Sequence, residues 1–431
     1  MQRPLAQLRC PLQKNLEHAE HMTPRYLIAE IQSDGHHARY ARWVVETDAL
    51  RDADLLVAGP RSLFEHSEFT PLRGRYIPIE LGAEEKNTSL VIDFSLSGIL
   101  RKNLETRRMY IEALRRARER GPVDLIIIPY VDHSVYTWAT LGTGFGNTPW
   151  AGISMLPMFH LPQIQGMVVP RRRGDWIRDK LYRRLLSDPH LRTLFTIDPE
   201  LVEFASRSLS ARQRSRLTYL PDPSVQYQLL PRDASRTQLA IPHDVHLVIL
   251  YGALHPRKGV EPLIRGAQAA GCPNSIHVLL AGRQDNEVRE ILRSPEANEL
   301  RHDGRLHVLD QYIDDDLEKV ILSAADFMWI GYSKFYRMSG IFVLAARHAL
   351  PAIFTREGLI GHLGRKFNVG PEIDPDRVDS VTHALAELTE NPHKYDQAVA
   401  AARDHFEIHS IAHFQAALGR VIRDASNAGR S

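Results

Sequence analysis

Two short segments of the chain place small and cationic residues at the start of a predicted helix. One is the run 255–259, which follows a predicted buried strand and a glycine turn at Gly252. The other is the run 332–340, which also leads into a predicted helix. Helix N-termini carry unpaired N–H donors and partial positive charge, and both features suit a diphosphate group. The two segments therefore predict a bound nucleotide that carries a phosphate-linked group to be transferred.

The composition is that of a globular protein with more than one domain. At 431 residues the chain is too long for one ordinary core, so two or more domains are expected. Hydrophobic residues make up 43% of the chain, which is enough to build a core in each half. The formal net charge is only +2 and gives no indication of a nucleic-acid partner.

Cysteine content and hydropathy predict a cytoplasmic protein. Cys10 and Cys272 lie in different halves of the chain and do not predict a disulfide framework or a metal site. No apolar run approaches the roughly 20 residues that a membrane span requires. Residues 1–22 lack the apolar core of a signal peptide, and we expect them to form a loose N-terminal extension.

Short apolar runs alternate with longer helical patterns, which is typical of βαβ units and parallel sheets. In the first half the predicted strands are 26–31, 55–58, 90–94, 125–129, 150–155 and 193–197. In the second half they are 247–251, 277–281, 306–309, 327–330 and 352–355. The pattern predicts two Rossmann-like domains that face each other across a cleft, with ligands at the carboxyl ends of the strands.

The domain boundaries follow from a polar segment near the middle of the chain. Residues 226–240 show little periodicity and follow a stiff proline turn, so we interpret them as a linker. The first domain then covers residues 23–225 and the second covers residues 241–405. The remaining residues, 406–431, are predicted to be helical.

The second domain resembles family 4 of the retaining GT-B glycosyltransferases. The pattern from Gly252 through Lys258 and Gly259 to the pair at 263–264 is similar to the family's G…KG…LI signature. The run 332–340 is similar to a later family motif. The similarity covers residues 245–420, whereas the first half is similar in architecture only. The resemblance implies the GT-B fold, in which the last helix, here within 406–431, returns to the first domain.

The resemblance also implies an activity. A sugar would move from a nucleotide-sugar donor to an acceptor with retention of configuration, without a cofactor or a required metal. Cationic side chains and helix dipoles would neutralise the leaving diphosphate. The implied acceptor is a glycan or lipid-linked glycan, as in cell-surface polysaccharide or lipopolysaccharide biosynthesis. Two alternatives stay open, a nucleotide-sugar epimerase of the same fold and a non-catalytic GT-B module that only binds.

Lys258 is the first residue to which the resemblance assigns a role, because its ammonium would stabilise the charge on the leaving diphosphate. Arg257 is a second donor-binding candidate, although one of two adjacent cations is expected to face solvent. Family members often carry an arginine six residues before the lysine, where this chain has Gly252. Arg283, after the turn at Gly282, either supplies that cation, contacts the nucleotide or is a solvated loop arginine.

The second helix start is expected to complete the donor site. Ser339 and Gly340 would give backbone N–H groups and a hydroxyl to the diphosphate, and Ser339 also suits a helix N-cap. Tyr332 either shapes the same pocket or is a core aromatic.

The chain departs from the family at a pair of glutamates that meet the donor sugar and the ribose. Tyr336 and Leu344 occupy those two positions in this sequence. Glu357, on the next strand-to-helix loop, is a candidate substitute. Alternatively, it is a first-turn glutamate favoured by the helix dipole. The absent glutamate pair is the motive for the non-catalytic alternative.

In the first domain, the loop with Gly35, His36 and His37 follows the first strand and resembles the family loop that meets the acceptor and the donor sugar. Glycine there permits close approach to the backbone. We expect only one of the two histidines to make the contact, because adjacent side chains point in different directions. Asp132 and His133, after the strand at 125–129, either position a substrate or are structural.

A basic stretch at 171–186 mixes apolar and cationic residues on one face of a predicted helix. Such a helix could make a peripheral contact with an anionic membrane surface, where a lipid-linked acceptor would be found. The alternative is an amphipathic helix that packs on the first domain and leaves a solvated basic face.

Overall fold

A computed structural model describes residues 23–33, 36–82 and 96–428, which form two parallel sheets surrounded by helices. The first sheet has the strand order β3-β2-β1-β4-β5-β6-β7. Its strands are β1 (Arg25–Ala29), β2 (Asp54–Gly59), β3 (Ile77–Glu80), β4 (Leu125–Ile128), β5 (Trp150–Ser154), β6 (Leu191–Thr196) and β7 (Leu217–Tyr219). All neighbouring strands in it are parallel.

The second sheet has the order β10-β9-β8-β11-β12-β13 and is also parallel throughout. Its strands are β8 (His246–Tyr251), β9 (Ile276–Ala281), β10 (Leu306–Leu309), β11 (Phe327–Ile330), β12 (Ala352–Thr355) and β13 (Glu372–Ile373). The central strands are apolar and buried on both faces, as parallel sheets require. In both sheets the chain order reverses beside the first strand, so a crevice opens at the strands' carboxyl ends.

Helices cover the faces of both sheets. Around the first sheet lie α1 (His37–Val45), α2 (Arg61–Glu65), α3 (Leu96–Arg118), α4 (Val135–Leu141), α5 (Asp175–Leu186), α6 (Pro199–Ser208) and α7 (Ala211–Arg214). The later helices are α8 (Arg232–Gln238), α9 (Val260–Gln268), α10 (Asn286–Ile291), α11 (Pro295–His302), α12 (Asp315–Ala324), α13 (Gly340–Arg347), α14 (Gly358–Phe367), α15 (Val378–Glu390), α16 (Asp396–Phe406) and α17 (Ile411–Ala428).

The last helix returns to the first sheet, as predicted. Helix α16 packs against α13 and α14, whereas α17 packs against α1. Phe414 of α17 meets Tyr40 and Trp43 of α1 edge-on, with ring centroids 5.7 and 6.1 Å apart. Between the two helices, His409 Nδ1 lies 3.0 Å from the backbone carbonyl of Asp222. The C-terminal segment therefore holds the two sheets together.

Most predicted strands are confirmed, and three were missed. Strands β3, β7 and β13 are short and lie near sheet edges, and the exposed β3 sequence Ile-Pro-Ile-Glu gives no strong alternation signal. The predicted strand at 90–94 and the extension at 1–22 lie outside the described residues.

The segment 226–240, predicted to be a linker, contains helix α8. The polar sequence of this segment did not predict that it packs against the second domain, because the residue that anchors it is a buried arginine. The Arg236 guanidinium is fully buried, and its Nη2 donates to Asp326 Oδ2 over 2.5 Å. Its Nε donates to the carbonyl of Ala324 over 3.1 Å. The burial of this charge is offset by the ion pair and by the backbone acceptors.

Candidate active site

The first predicted phosphate segment forms a tight turn at the carboxyl end of β8. Gly252 has φ 92°, and a 3-10 helix over Pro256–Lys258 ends at Gly259, which has φ 76°. Helix α9 begins directly afterwards. A Cβ atom at Gly259 would lie 2.1 Å from the carbonyl oxygen of Gly331, so only glycine fits there. The turn therefore brings the β8 loop against the end of β11.

Lys258 lies half-buried beneath this turn. Its ammonium donates to the backbone carbonyl of Tyr251 over 2.8 Å and lies 6.0 Å from the centre of the Tyr332 ring. Burial and the nearby charge of Arg257 lower the pKa of Lys258 to about 7. A cationic side chain binds an anion most strongly when no carboxylate already neutralises its charge. Among the described residues, no acidic side chain forms an ion pair with Lys258.

The two adjacent cations differ as expected. Arg257 is exposed, and its guanidinium lies 5.8 Å from the centre of the Phe335 ring. At Gly252 a Cβ atom would lie 2.9 Å from Lys258 Nζ, so a side chain there would have to displace the ammonium. Arg283 is exposed and lies 5.7 Å from the Tyr312 ring centre. Gly282 supports the first turn, since a Cβ on it would lie 2.0 Å from the carbonyl oxygen of Gly252.

The second predicted phosphate segment follows β11, which pairs with β8. Ser339 is the N-cap of α13, and its buried side chain makes no capping hydrogen bond, so the first N–H groups of the helix are not capped by it. Tyr332 is buried at the start of the same loop, and burial raises the pKa of its phenol. A Cβ on Gly340 would lie 3.6 Å from Asp222 Oδ2. The helix start thus lies where the chain crosses between the sheets.

Glu357 holds the loop before α13 in place. Its Oε2 accepts a hydrogen bond of 2.7 Å from the backbone N–H of Lys334, a non-glycine residue with φ 54°. Burial raises the pKa of the Glu357 carboxyl. The loop is also tied to α14, because Leu359 N–H donates to the carbonyl of Tyr336 over 3.0 Å. In this structure Glu357 therefore contacts the backbone of the loop before α13.

In the first domain, the two histidines lie together, contrary to the expectation that their side chains diverge. The rings of His36 and His37 stack with centroids 4.6 Å apart. His36 is the N-cap residue of α1, and His37 is its first residue. Both rings meet Tyr130, at 5.8 and 4.7 Å. Gly35 lies outside the described residues.

Glu30 is a residue that the sequence reasoning missed. It directly follows β1 and is completely buried, and its Oε1 lies 3.2 Å from His37 Nδ1. Oε1 also accepts a hydrogen bond of 3.0 Å from the N–H of Gln32. Burial raises the pKa of Glu30, opposed by the contact with His37. The sequence signal that could have identified Glu30 is its position, an acidic residue at the end of an apolar strand.

Asp132 and His133 differ in what they can do. The Asp132 carboxylate accepts hydrogen bonds from Ser154 Oγ at 3.0 Å, Met155 N at 2.7 Å and Leu156 N at 3.1 Å, and so fixes the loop after β5. The His133 ring lies 5.1 Å from that of Tyr130. Burial, together with nearby positive charges, lowers the pKa of His133 to about 4, so the imidazole is neutral at pH 7.

Arg337 brings the two halves of the site together. It belongs to the loop before α13, and its guanidinium is half-buried near Tyr130 and Asp132 of the first domain. Burial, and to a lesser extent the positive charge of Arg257, lowers the pKa of Arg337. The histidines around Tyr130 and the cations around Lys258 therefore line the same cleft. Arg337 lies within the run 332–340, but the sequence pattern alone predicted no role for it.

The basic stretch at 171–186 packs on the first domain at one end only. Tyr182, Leu185 and Leu186 of α5 are buried, whereas Trp176 is 64% and Ile177 is 44% exposed. Lys180 Nζ lies 4.9 Å from the Trp176 ring centre. No helix in the described part of the chain is long and apolar enough to cross a membrane.

The chain matches no protein-family model and no curated protein sequence. It is similar to solved structures over nearly its whole length. A sucrose-phosphate synthase from Thermosynechococcus elongatus aligns with a TM-score of 0.67 at 16% identity, over 94% of this chain and 100% of that one. HepE of Anabaena, in complex with UDP and glucose, aligns with a TM-score of 0.63 at 14% identity, over 93% and 100%.

A third similar structure is WaaG, a glycosyltransferase involved in lipopolysaccharide biosynthesis. It aligns with a TM-score of 0.58 at 13% identity, over 92% of this chain and 99% of that one. Identities at this level show a shared fold. This chain has two parallel sheets of seven and six strands, and its last helix returns to the first sheet. The chain therefore has the GT-B fold of these glycosyltransferases.

Proposed function

We propose that the protein is a glycosyltransferase that moves a sugar from a nucleotide-sugar donor to an acceptor. The observation that carries the proposal is the joint position of Lys258 and the start of α13. Both follow neighbouring parallel strands, β8 and β11, at the carboxyl edge of the second sheet. A diphosphate at this edge would meet the Lys258 ammonium and the first N–H groups of α13. HepE, which shares the fold, has been solved with UDP-glucose.

In this mechanism the protein stabilises the leaving nucleoside diphosphate by charge. Lys258 and the dipole of α13 would offset the negative charge that develops as the sugar–oxygen bond breaks. The acceptor hydroxyl would attack from the face that the diphosphate leaves, and configuration would be retained. The leaving phosphate would take the acceptor's proton, so no strong protein base is required. The neutral His133 imidazole suits hydrogen bonding to a sugar hydroxyl.

The site would act without a metal or a cofactor, with Lys258 and the helix dipole in the metal's place. Among the described residues no group of three or more histidine, cysteine, aspartate or glutamate side chains could hold a metal ion. Metal independence is part of the proposal, and activity retained in EDTA would support it.

The proposed acceptor is a glycan or a lipid-linked glycan of a cell-surface polysaccharide or lipopolysaccharide. WaaG acts in lipopolysaccharide biosynthesis and shares the fold. The exposed Trp176 and Ile177, beside the cations of 171–186, would let the protein contact an anionic membrane from the cytoplasm. Binding to vesicles that contain anionic lipid, lost in a Trp176→Ser/Ile177→Ser variant, tests this contact.

A panel of nucleotide sugars separates transfer from the alternatives. Transfer or slow hydrolysis of one donor, lost in Lys258→Ala and kept in a control variant Lys394→Ala on the exposed α15–α16 connection, supports the proposal. NMR of the product's anomeric proton tests retention. Epimerised donor would indicate the epimerase. Tight nucleotide binding without any turnover, with every donor and a mixed pool of glycan acceptors, would indicate a binding module.

A further inference from the structure

Three arginines converge on one pair of aromatic residues in the cleft. Arg257 and Arg337 lie against the Phe335 ring, with guanidinium carbons 5.8 and 5.7 Å from its centre. Arg172, which comes from the first domain, lies 5.7 Å from the centre of the adjacent Tyr336 ring. The aromatic faces hold the guanidinium planes in place without neutralising them. These three residues are here named the arginine cluster (Arg172, Arg257 and Arg337). Arg257 directly precedes Lys258 in the sequence, and its charge acts on Lys258.

No carboxylate forms an ion pair with any of the three guanidinium groups within the described ranges 23–33, 36–82 and 96–428. Arginines of the neighbouring helix α5 behave differently, since Arg178 and Arg183 pair with carboxylates of their own helix over 2.9 and 2.8 Å. The carboxylate that faces Arg337 is Asp132, whose oxygens already accept three hydrogen bonds. Arg337 is half-buried, whereas Arg172 and Arg257 are exposed. A half-buried cation without an ion pair is costly, and a bound anion would remove that cost at Arg337.

The nucleotide-sugar donor alone does not account for the positive charge of all three arginines. The diphosphate of a nucleotide sugar carries one negative charge on each phosphate, and Lys258, Arg257 and the N-terminus of α13 are available to it. Arg172 and Arg337 are then left over. Arg172 belongs to the first domain, and Arg337 reaches toward Tyr130 and Asp132 of that domain. The positive charges of Arg172 and Arg337 therefore lie on the side of the cleft that faces the first domain.

We propose that Arg172 and Arg337 bind a phosphate group on the acceptor. This inference rests on the proposed function and narrows it, because the acceptor is then a phosphorylated sugar or a sugar linked to a lipid phosphate. Arginine suits this task, since its planar fork donates two parallel hydrogen bonds to phosphate oxygens. The phosphate would anchor the acceptor while its hydroxyl reaches the donor sugar.

The test is a titration of the full chain saturated with UDP, so that the donor site is already filled. Glucose 6-phosphate, inorganic phosphate and glucose serve as probes, with calorimetry as the readout. We expect both phosphates to bind and glucose to bind at least tenfold more weakly. Arg337→Gln and Arg172→Gln should each weaken phosphate binding about tenfold, whereas Arg173→Gln, an exposed neighbour on the same loop, should not.

A vesicle arm identifies the source of the phosphate. Neutral phosphatidylcholine vesicles with and without a polyprenyl phosphate are compared for binding of the UDP-saturated protein. Binding that requires the polyprenyl phosphate and falls in Arg337→Gln indicates a lipid-linked acceptor, and binding of glucose 6-phosphate alone indicates a soluble sugar phosphate. Either result supports the proposal.

Two outcomes would overturn the inference. One is that no phosphate probe binds more tightly than glucose, and the other is that Arg173→Gln weakens binding as much as Arg337→Gln does. Circular dichroism of each variant, together with Arg337→Lys, which keeps the charge but loses the fork, excludes misfolding as the cause. If UDP does not bind in the first step, GDP and ADP take its place, and failure to bind any of the three contradicts the proposed function instead. The same phosphate titration on the free protein then still tests the arginines.

Discussion

The ammonium of Lys258 occupies the space that a side chain at Gly252 would need, because a Cβ there would come within 2.9 Å of Nζ. Gly252 also has φ 92°, which other residues rarely adopt. A side chain at position 252 would therefore have to displace the ammonium of Lys258.

Replacement of Gly252 tests that relationship. Gly252→Ala should lower the free energy of unfolding by about 1–2 kcal/mol through backbone strain and weaken UDP-glucose binding at least tenfold by displacing Lys258. Gly271→Ala is a matched control, since Gly271 has φ 94° and nothing within 4 Å of its Cβ position. We expect the control to lose similar stability and to keep its affinity. Equal affinities in the two variants, measured by calorimetry, would contradict the account.

Nucleotide-sugar binding should depend on pH through Lys258. Its pKa is lowered to about 7 in the empty site, and a bound diphosphate would raise it, so binding takes up a proton above pH 7. The affinity for UDP-glucose, whose diphosphate does not titrate in this range, should therefore fall by up to about tenfold per pH unit above about pH 7. Lys258→Ala should bind weakly with a flat profile. A flat profile in the wild type would show that Lys258 does not meet the diphosphate.

Asp222 makes the stability of the crossing point depend on pH. It is buried, it accepts a hydrogen bond from Tyr40, and burial raises its pKa from 3.8 to about 6. The folded state then holds the proton more tightly than the unfolded state, so stability is lost as pH rises from about 4 to about 6. The whole effect amounts to about 3 kcal/mol.

Asp222→Asn removes the titrating group and keeps an acceptor for Tyr40. Relative to this variant, the wild type should lose stability between pH 4 and 6, measured by urea unfolding at each pH. The difference between the two should become constant above about pH 7. A difference that does not change with pH would mean that the carboxyl is not held protonated by its surroundings.

Glu357 should act on donor affinity through the loop that it holds. Glu357→Ala removes the acceptor of the Lys334 N–H, releases a backbone with φ 54° and should weaken UDP-glucose binding about tenfold. Glu357→Gln keeps a side-chain oxygen at that position and should retain most of the affinity. If both variants lose affinity equally, the carboxylate contacts the nucleotide itself, as the resemblance suggested.

Much of the geometry at the carboxyl end of β8 was predictable from sequence, because it is local. The positions of Gly252, Gly259 and Lys258 follow from a strand, a tight turn and a helix start within a dozen neighbouring residues. Only glycine fits the contact between Gly259 and the end of β11, so the residue type itself reports the constraint.

The rest depends on contacts between distant segments. Arg337 matters because the second domain brings it to Tyr130, and no local pattern encodes that approach. His36 and His37 stack at the start of α1. The rule that adjacent side chains point in different directions did not predict this arrangement. Glu30 could have been noticed as an acid that ends an apolar strand, but its burial beside His37 required the fold.

The most direct measurement of the central claim is calorimetric titration of UDP, GDP and ADP, and of the matching nucleotide sugars, into the wild type and Lys258→Ala. The account predicts that the wild type binds at least one nucleotide and its sugar conjugate. It also predicts that Lys258→Ala binds them at least tenfold more weakly with an unchanged fold. Absence of binding to every nucleotide in the wild type, or equal affinities in the two proteins, would contradict it.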